Sequence, residues 1–323
     1  MVSQCRSGPA PMTDSDHKPT DPRPIIDAHA HFWDLQAHRY PWLSDPEPIR
    51  FRYGDYSAIR RTYLPDDYRR DTQDFTIVGL VHLEAEHDPA DPLGETRWLE
   101  DLARRTGLPS VCVGQAWLER DDVAEVLAGQ AASPLMRGIR QKPAAAHDPR
   151  EARRGRPGSM DDPVWRRGFS LLAGHGLSYD LQTPYWHLDA AAALAADFPE
   201  TQIVIDHTGL PADRSAAGLA AWRRALEGVA GHPKVALKIS GLGQPGRPWR
   251  VADNGPVVLD AIAIFGVERC LFASNFPVDS LVADLPTIFS GFREITADLG
   301  AAAQTQLFHD NAARIYRLFP VVA

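Results

Sequence analysis

The chain's first β-branched run ends Ile25-Ile26-Asp27-Ala28-His29-Ala30-His31. In extended backbone, residues i and i+2 share a face, so His29 and His31 point together. Two neutral imidazoles side by side suit a divalent transition metal, zinc foremost, or can hold a carbonyl oxygen directly. Other apolar runs end in polar groups too. In chain order these are His82 and Glu84, Gln115 and Trp117, Arg140 and Lys142, and Gln182. Asp206 and His207, Lys238 and Ser240, and Asn275 and Asp279 follow. Such a set suits attack by water on a carbonyl. Histidine has its unperturbed pKa near ~6.5 and can take a proton at neutral pH. The planar fork of Arg140 suits a carboxylate or carbonyl oxygen, or else an ion pair with a carboxylate on the next strand. Lys238 is expected deeper, neutralising Asp206 or Glu84. Trp42 and Trp117 offer aromatic walls for a cyclic ligand, and Trp33, Trp186 and Trp249 are expected on the same face.

These residues need a scaffold that gathers strand ends. Eight short apolar runs qualify as strands, at 25–28, 76–82, 110–115, 135–140, 177–181, 202–206, 235–239 and 270–274. Helical segments are predicted at about 94–106, 121–131, 163–175, 187–197, 216–230, 255–265, 284–299 and 301–318. Alternation of strand and helix implies parallel pairing through crossovers. Eight units in this length predict an α/β fold, a single (β/α)8 TIM barrel over 25–323, with chemistry at the C-terminal strand ends. An open doubly wound sheet is the rival. No GxGxxG or GxxxxGK[ST] loop follows the first strand, which weakens the nucleotide-binding version. Residues 1–24 are rich in Pro, Ser, Asp and Thr and are expected to be a disordered leader.

Composition excludes several classes. The chain has 323 residues, 44% hydrophobic and 24% charged, enough for a globular core. Its formal charge of -8 argues against nucleic-acid binding through bulk positive charge. No apolar run approaches the ~20 residues of a membrane span, and no secretory h-region is present. Cys5, Cys112 and Cys270 are too few and too dispersed for a disulfide framework. Cys112 and Cys270 are expected as buried small hydrophobes. A cytoplasmic protein acting on a small molecule is expected, the substrate anionic or cyclic, with homo-oligomerisation left open. The Arg-rich stretch 147–161 is either a basic mouth loop that attracts anions or a solvated surface.

The motifs in order resemble the amidohydrolase superfamily, in its lactonase-like branch of amidohydrolase-related TIM-barrel hydrolases. The matching segments are Ile26-Asp27-Ala28-His29-Ala30-His31-Phe32-Trp33, Tyr40-Pro41-Trp42-Leu43 and Val81-His82-Leu83-Glu84-Ala85-Glu86. Next come Arg137-Gly138-Ile139-Arg140-Gln141, Asp180-Leu181-Gln182 and Ile205-Asp206-His207-Thr208-Gly209-Leu210-Pro211. Lys238-Ile239-Ser240-Gly241-Leu242 and Phe272-Ala273-Ser274-Asn275-Phe276-Pro277-Val278-Asp279 complete the set. The resemblance implies a catalytic set of His29, His31, His207 and the eighth-strand residue. It also implies a divalent metal, most readily zinc, on His29, His31 and His207, weakly held or absent. Glu84, Arg140, Gln182, Trp42, Trp117 and Ser240 become expected substrate contacts.

One departure matters. Relatives read Ser-Asp-Trp-Pro on the eighth strand, where this chain has Ser274-Asn275-Phe276-Pro277. An Asn amide cannot take a proton from water and brings no charge to offset a dication. Hydrolysis of a lactone then needs another base, with Asp279, Glu84 and His207 as candidates. Two other outcomes are a metal-dependent decarboxylase of aromatic or unsaturated acids and a non-catalytic small-molecule-binding barrel.

Overall fold

A computed structural model describes residues 20–318. Eight parallel strands follow one another around a single sheet in chain order. They are β1 (Asp21–Ala30), β2 (Phe75–Leu83), β3 (Val111–Gln115), β4 (Met136–Arg140), β5 (Ser178–Leu181), β6 (Ile203–Ile205), β7 (Val235–Ile239) and β8 (Cys270–Phe272). The sheet curls until the residues after β8 meet β1. His31 N donates to Phe276 O at 2.7 Å and Asn275 N to His29 O at 2.8 Å. The fold is a TIM barrel, closed by backbone bonds made by three of the residues picked out for chemistry.

The strands read as short runs of Val, Ile and Leu because both their faces are covered. One face forms the barrel interior, with Ile26, Ala28, Val81, Leu83, Val111, Val113, Val204, Ala236 and Leu271 in one cluster. The other packs beneath the helices, with Trp165, Phe169, Tyr179, Trp222 and Leu226 fully buried. Cys112 and Cys270 are buried in their strands as expected.

The alternation of β1 breaks at its end. Its register against β2 shifts between Asp27 and Ala30. Ala28 packs in the interior cluster, yet the next residue, His29, also reaches an interior side chain, Lys238. Such an irregularity re-aims a side chain. Asp27 ties down this bend: it accepts from Ser274 N at 2.9 Å, Ser274 Oγ at 2.6 Å and the Tyr68 hydroxyl at 2.9 Å.

Several boundaries differ from the sequence reading. β1 begins at Asp21, so residues 21–24, expected in the leader, belong to the barrel. Residues 1–19 of the expected leader, with Cys5, lie outside the described residues. The helix expected at 255–265 begins at Val251 and carries Pro256 inside it. The segment 163–175 is helical only over Pro163–Phe169 before a turn. The last segment divides into Gly300–Thr305, a wider turn Gln306–Asp310 and Asn311–Ile315. Among the described residues no helix is long and apolar enough to cross a membrane.

Candidate active site

The strand ends bring His29, His31 and His207 together. The Nε2 atoms of His29 and His31 are 3.2 Å apart. The rings of His29 and His207 lie 4.6 Å apart, centroid to centroid. Neighbours assign the ring protons. His31 Nδ1 sits 2.8 Å from Leu83 O and must donate to it, which leaves Nε2 as an acceptor. The lone pair on His31 Nε2, 3.2 Å away, draws the His29 proton to Nε2, while His29 Nδ1 lies 3.5 Å from both Lys238 Nζ and Asp206 Oδ1. His207 Nδ1 is 3.0 Å from Ser240 Oγ.

All three imidazoles are held well below their ordinary value of 6.5. Burial is the largest cause for each. Lys238, His31 and Arg140 add to it at His29; Arg140 and His82 at His31; and Arg52 and His29 at His207. They are neutral at neutral pH.

A buried ionic layer lies beneath. Lys238 Nζ is 2.7 Å from Asp180 Oδ1 and 3.0 Å from Asp206 Oδ1. The Tyr316 hydroxyl donates to Asp180 at 2.6 Å. Lys238 therefore neutralises carboxylates, as its depth on β7 suggested. The partners are Asp206 and Asp180 rather than Glu84.

Arg140 is 4% exposed and forms an ion pair, with Glu84 from the end of β2, two strands away, rather than with a carboxylate on the next strand. Its Nε donates to Glu84 Oε1 at 2.6 Å, and Nη2 donates to the Glu84 carbonyl. Nη1 points elsewhere, 3.4 Å from both His29 Nε2 and Gln182 Oε1. Arg140 thus holds Glu84 with two nitrogens and turns the third toward the histidines. Gln182 contacts Arg140 in this arrangement. Ser240, expected against substrate, is buried and hydrogen-bonds His207 instead, because its side chain and the ring converge where β6 and β7 end.

Asn275 is buried at φ 57. Its Nδ2 donates to Asp279 Oδ1 at 2.6 Å. Asp279 also accepts from the Tyr53 hydroxyl at 2.9 Å and faces Arg52 at 3.3 Å. Burial raises its pKa, and Arg52, Asn275 and Tyr53 work against that. Arg52 and Tyr53 lie in the long connection between β1 and β2. No periodicity or motif marked them in the sequence. Backbone strain gathers here as well: His207 and Thr208 have φ 53 and 58, a conformation that costs β-branched and bulky residues about 1–3 kcal/mol each. Gly241 lets the next loop close over them, since a Cβ there would meet the His207 ring at 2.8 Å.

A cavity of about 580 Å³ opens on the far side of Arg140 and Glu84 from the three histidines, none of which lines it. Glu84, Gln115 and Arg140 line it from the ends of β2, β3 and β4, and Trp42 and Trp117 from the loops. Trp33, Trp186 and Trp249 do not line it. Their indoles are spent elsewhere: Trp33 Nε1 donates to Arg61 O, Trp186 Nε1 to Ala146 O, and Trp249 packs on Phe292. Carboxylates outnumber cations in the wall. Asp45, Glu47, Glu84, Glu86 and Glu119 face Arg140 and Lys142, and those two are already paired with Glu84 and Glu86. The Arg-rich loop gives the cavity Pro157 and Gly158, while Arg150 and Arg154 pair with Asp148 and Asp161.

Comparison with known proteins now bears on this geometry. Residues 26–318 match the amidohydrolase family model. The chain belongs to the amidohydrolase family. It is 43% identical to the uncharacterized protein y4mH of Sinorhizobium fredii, over 91% of this chain and 98% of that one. It is 30% identical to L-fucono-1,5-lactonase of Burkholderia ambifaria, over 91% of this chain and 95% of that protein. The crystal structure of an amidohydrolase from Burkholderia multivorans with bound zinc superposes with a TM-score of 0.76 at 28% identity. It covers 91% of this chain and 99% of its own.

The zinc in that relative poses a test for the ligand set expected here. Among the described residues no three His, Cys, Asp or Glu side chains are grouped to hold a metal ion. The His29 ring has Arg140 at 3.4 Å from Nε2, and Lys238 and Asp206 each at 3.5 Å from Nδ1. Asn275 is neutral, and Asp279 is engaged by three donors. The expected site on His29, His31 and His207 therefore does not fit a dication: Asp206 and Asp180 are paired with Lys238, and Asp279 is held by its three donors, which leaves no carboxylate to join the three neutral rings.

Proposed function

We propose that this chain is a hydrolase that opens a lactone ring, with a sugar-acid lactone as its substrate type. The observation that carries the reading is the neutral His29–His31–His207 cluster, set beside a walled cavity with Arg140 between the two. The similarity to L-fucono-1,5-lactonase over nearly the whole chain supports the lactone.

The ring carbonyl sits with its oxygen toward Arg140 Nη1 and His29 Nε2, two donors 3.4 Å apart. Donors aimed where negative charge develops lower the barrier to a tetrahedral intermediate. Water attacks the carbonyl carbon and gives its proton to His207. The Ser240 hydroxyl at Nδ1 orients this ring and leaves Nε2 as the base. The intermediate collapses with cleavage of the bond between the carbonyl carbon and the ring oxygen. His207 returns the proton to that oxygen, which leaves as a hydroxyl. The carboxylic acid so formed ionises and releases one proton to solvent. Asn275 and Asp279 hold the floor: the Asn275 amide, fixed by Asp279, positions the water.

Titration with base across a lactone panel tests this reading, alongside CO₂ release from aromatic acids. Steady acid release from a lactone supports it. CO₂ release without acid release favours the decarboxylase. Tight binding of a lactone with neither product makes the barrel a binding protein.

A further inference from the structure

Gln115 was one of the strand-end polar residues, but the mechanism above gives it no task. It ends β3, is 3% exposed, and lines the cavity next to Arg140, its partner across the β3–β4 pair. Neither Oε1 nor Nε2 has a hydrogen-bond partner in the protein, and both are closed to solvent, so a side-chain rotation is what brings the amide to the cavity. Its backbone carbonyl is satisfied by Gln130 Nε2 at 2.8 Å, so the strand end itself is in order. A buried amide with both ends unpaired is costly and calls for a partner, an ordered water or a ligand. A primary amide offers one acceptor and two N–H donors in a plane. Hydroxyl groups, each both donor and acceptor, complement it. Trp42 and Trp117 supply apolar walls for the ring that carries those hydroxyls. The charge of the wall narrows the choice further. Arg140 and Lys142 are paired with Glu84 and Glu86, and Asp45, Glu47 and Glu119 add further negative groups. A ring bearing its own carboxylate would meet like charge there.

We propose that Gln115 is the specificity-determining residue of this cavity. Its amide pairs with neighbouring hydroxyls of an uncharged, polyhydroxylated ring, and carboxylated rings are turned away. This rests on the lactone-opening reading for its reaction, though not for its binding.

The test therefore measures binding apart from turnover. The probes are an aldono-1,5-lactam, which keeps the hydroxyls and resists opening, and 2-piperidone, the same ring without them. Calorimetry on the full chain gives the ratio of the two affinities. The expected ratio is about tenfold or more in favour of the hydroxylated lactam, falling toward one in Gln115→Leu. Gln115→Met, close to glutamine in length, guards against misfolding and should give the same collapse. An unchanged ratio in either folded variant overturns the assignment, as does a wild type that binds both rings equally. A pyranone carboxylate that binds as tightly as the aldonolactam overturns the exclusion of charged rings. If the lactam ratio depends on Gln115 but no lactone is opened, the hydrolase reading fails and the role of Gln115 stands. If lactones are opened and the ratio ignores Gln115, this inference fails alone.

Discussion

Asn275 stands where the family resemblance leads one to expect a carboxylate, and its surroundings are built for an amide. It donates to Asp279 at 2.6 Å. Asn275→Asp would replace that bond with two carboxylates in contact. One must then hold a proton, or a cation must enter between them. The variant is expected to lose about 1–3 kcal/mol of stability in chelator and to regain part of it with zinc, read as melting temperature. Zinc that shifts wild type and variant equally would place the substitution outside any metal-accessible position. Arg140→Leu strands Glu84 as an unpaired buried charge, and removing one partner of such a pair costs about 3–5 kcal/mol. Urea denaturation checks this; a loss under about 1 kcal/mol would mean that Glu84 finds water. The histidines and Asn275 were legible in the sequence because each ends an apolar run, where a barrel directs side chains to its mouth. The partners of Arg140 and Ser240 were not. Which neighbour a strand-end side chain takes depends on register and on the bend at His29, and no spacing encodes that choice.

At the scale of elements, the long connection between β1 and β2 does more than link them. Tyr53 and Arg52 hold Asp279, and Trp42 Nε1 donates to Ala85 O at 2.8 Å. Tyr53→Phe removes a donor from a buried carboxylate and is expected to loosen this connection, with faster amide exchange over residues 45–60 than in the rest of the barrel mouth. Uniform exchange in wild type and variant would show that the loop is held by other means. The helix Pro163–Phe169 packs as closely: a Cβ at Gly168 would lie 2.0 Å from the Leu118 carbonyl. Gly168→Ala should cost about 1–3 kcal/mol through forced displacement, and an unchanged melting temperature would contradict that contact. Strands and most helices were readable from apolar runs and their punctuation. The β1–β2 connection was not, because its contacts come from single aromatic and charged residues without period.

Across the whole molecule the negative balance of the sequence extends into the cavity wall, which favours the solvated-surface reading of the Arg-rich stretch over the basic mouth. Two of those arginines, Arg150 and Arg154, pair with Asp148 and Asp161 a few residues away, a match that composition alone hides. Buried histidines set the pH response. Each is held below 6.5 by burial and neighbouring cations, so falling pH protonates the base only below that value. The acid limb of kcat/KM should therefore lie below 6.5, with activity flat from there through neutrality; a limb above 6.5 would mean that His207 is not the base. The central claim is that this neutral cluster opens a lactone by base catalysis. Its most direct test is acid release from one aldono-1,5-lactone at pH 7, after chelator treatment, by wild type and by His207→Gln. Sustained release by wild type and a loss of about 100-fold or more in the variant are predicted. Wild-type release no faster than the spontaneous rate, or a variant as fast as wild type, would contradict it.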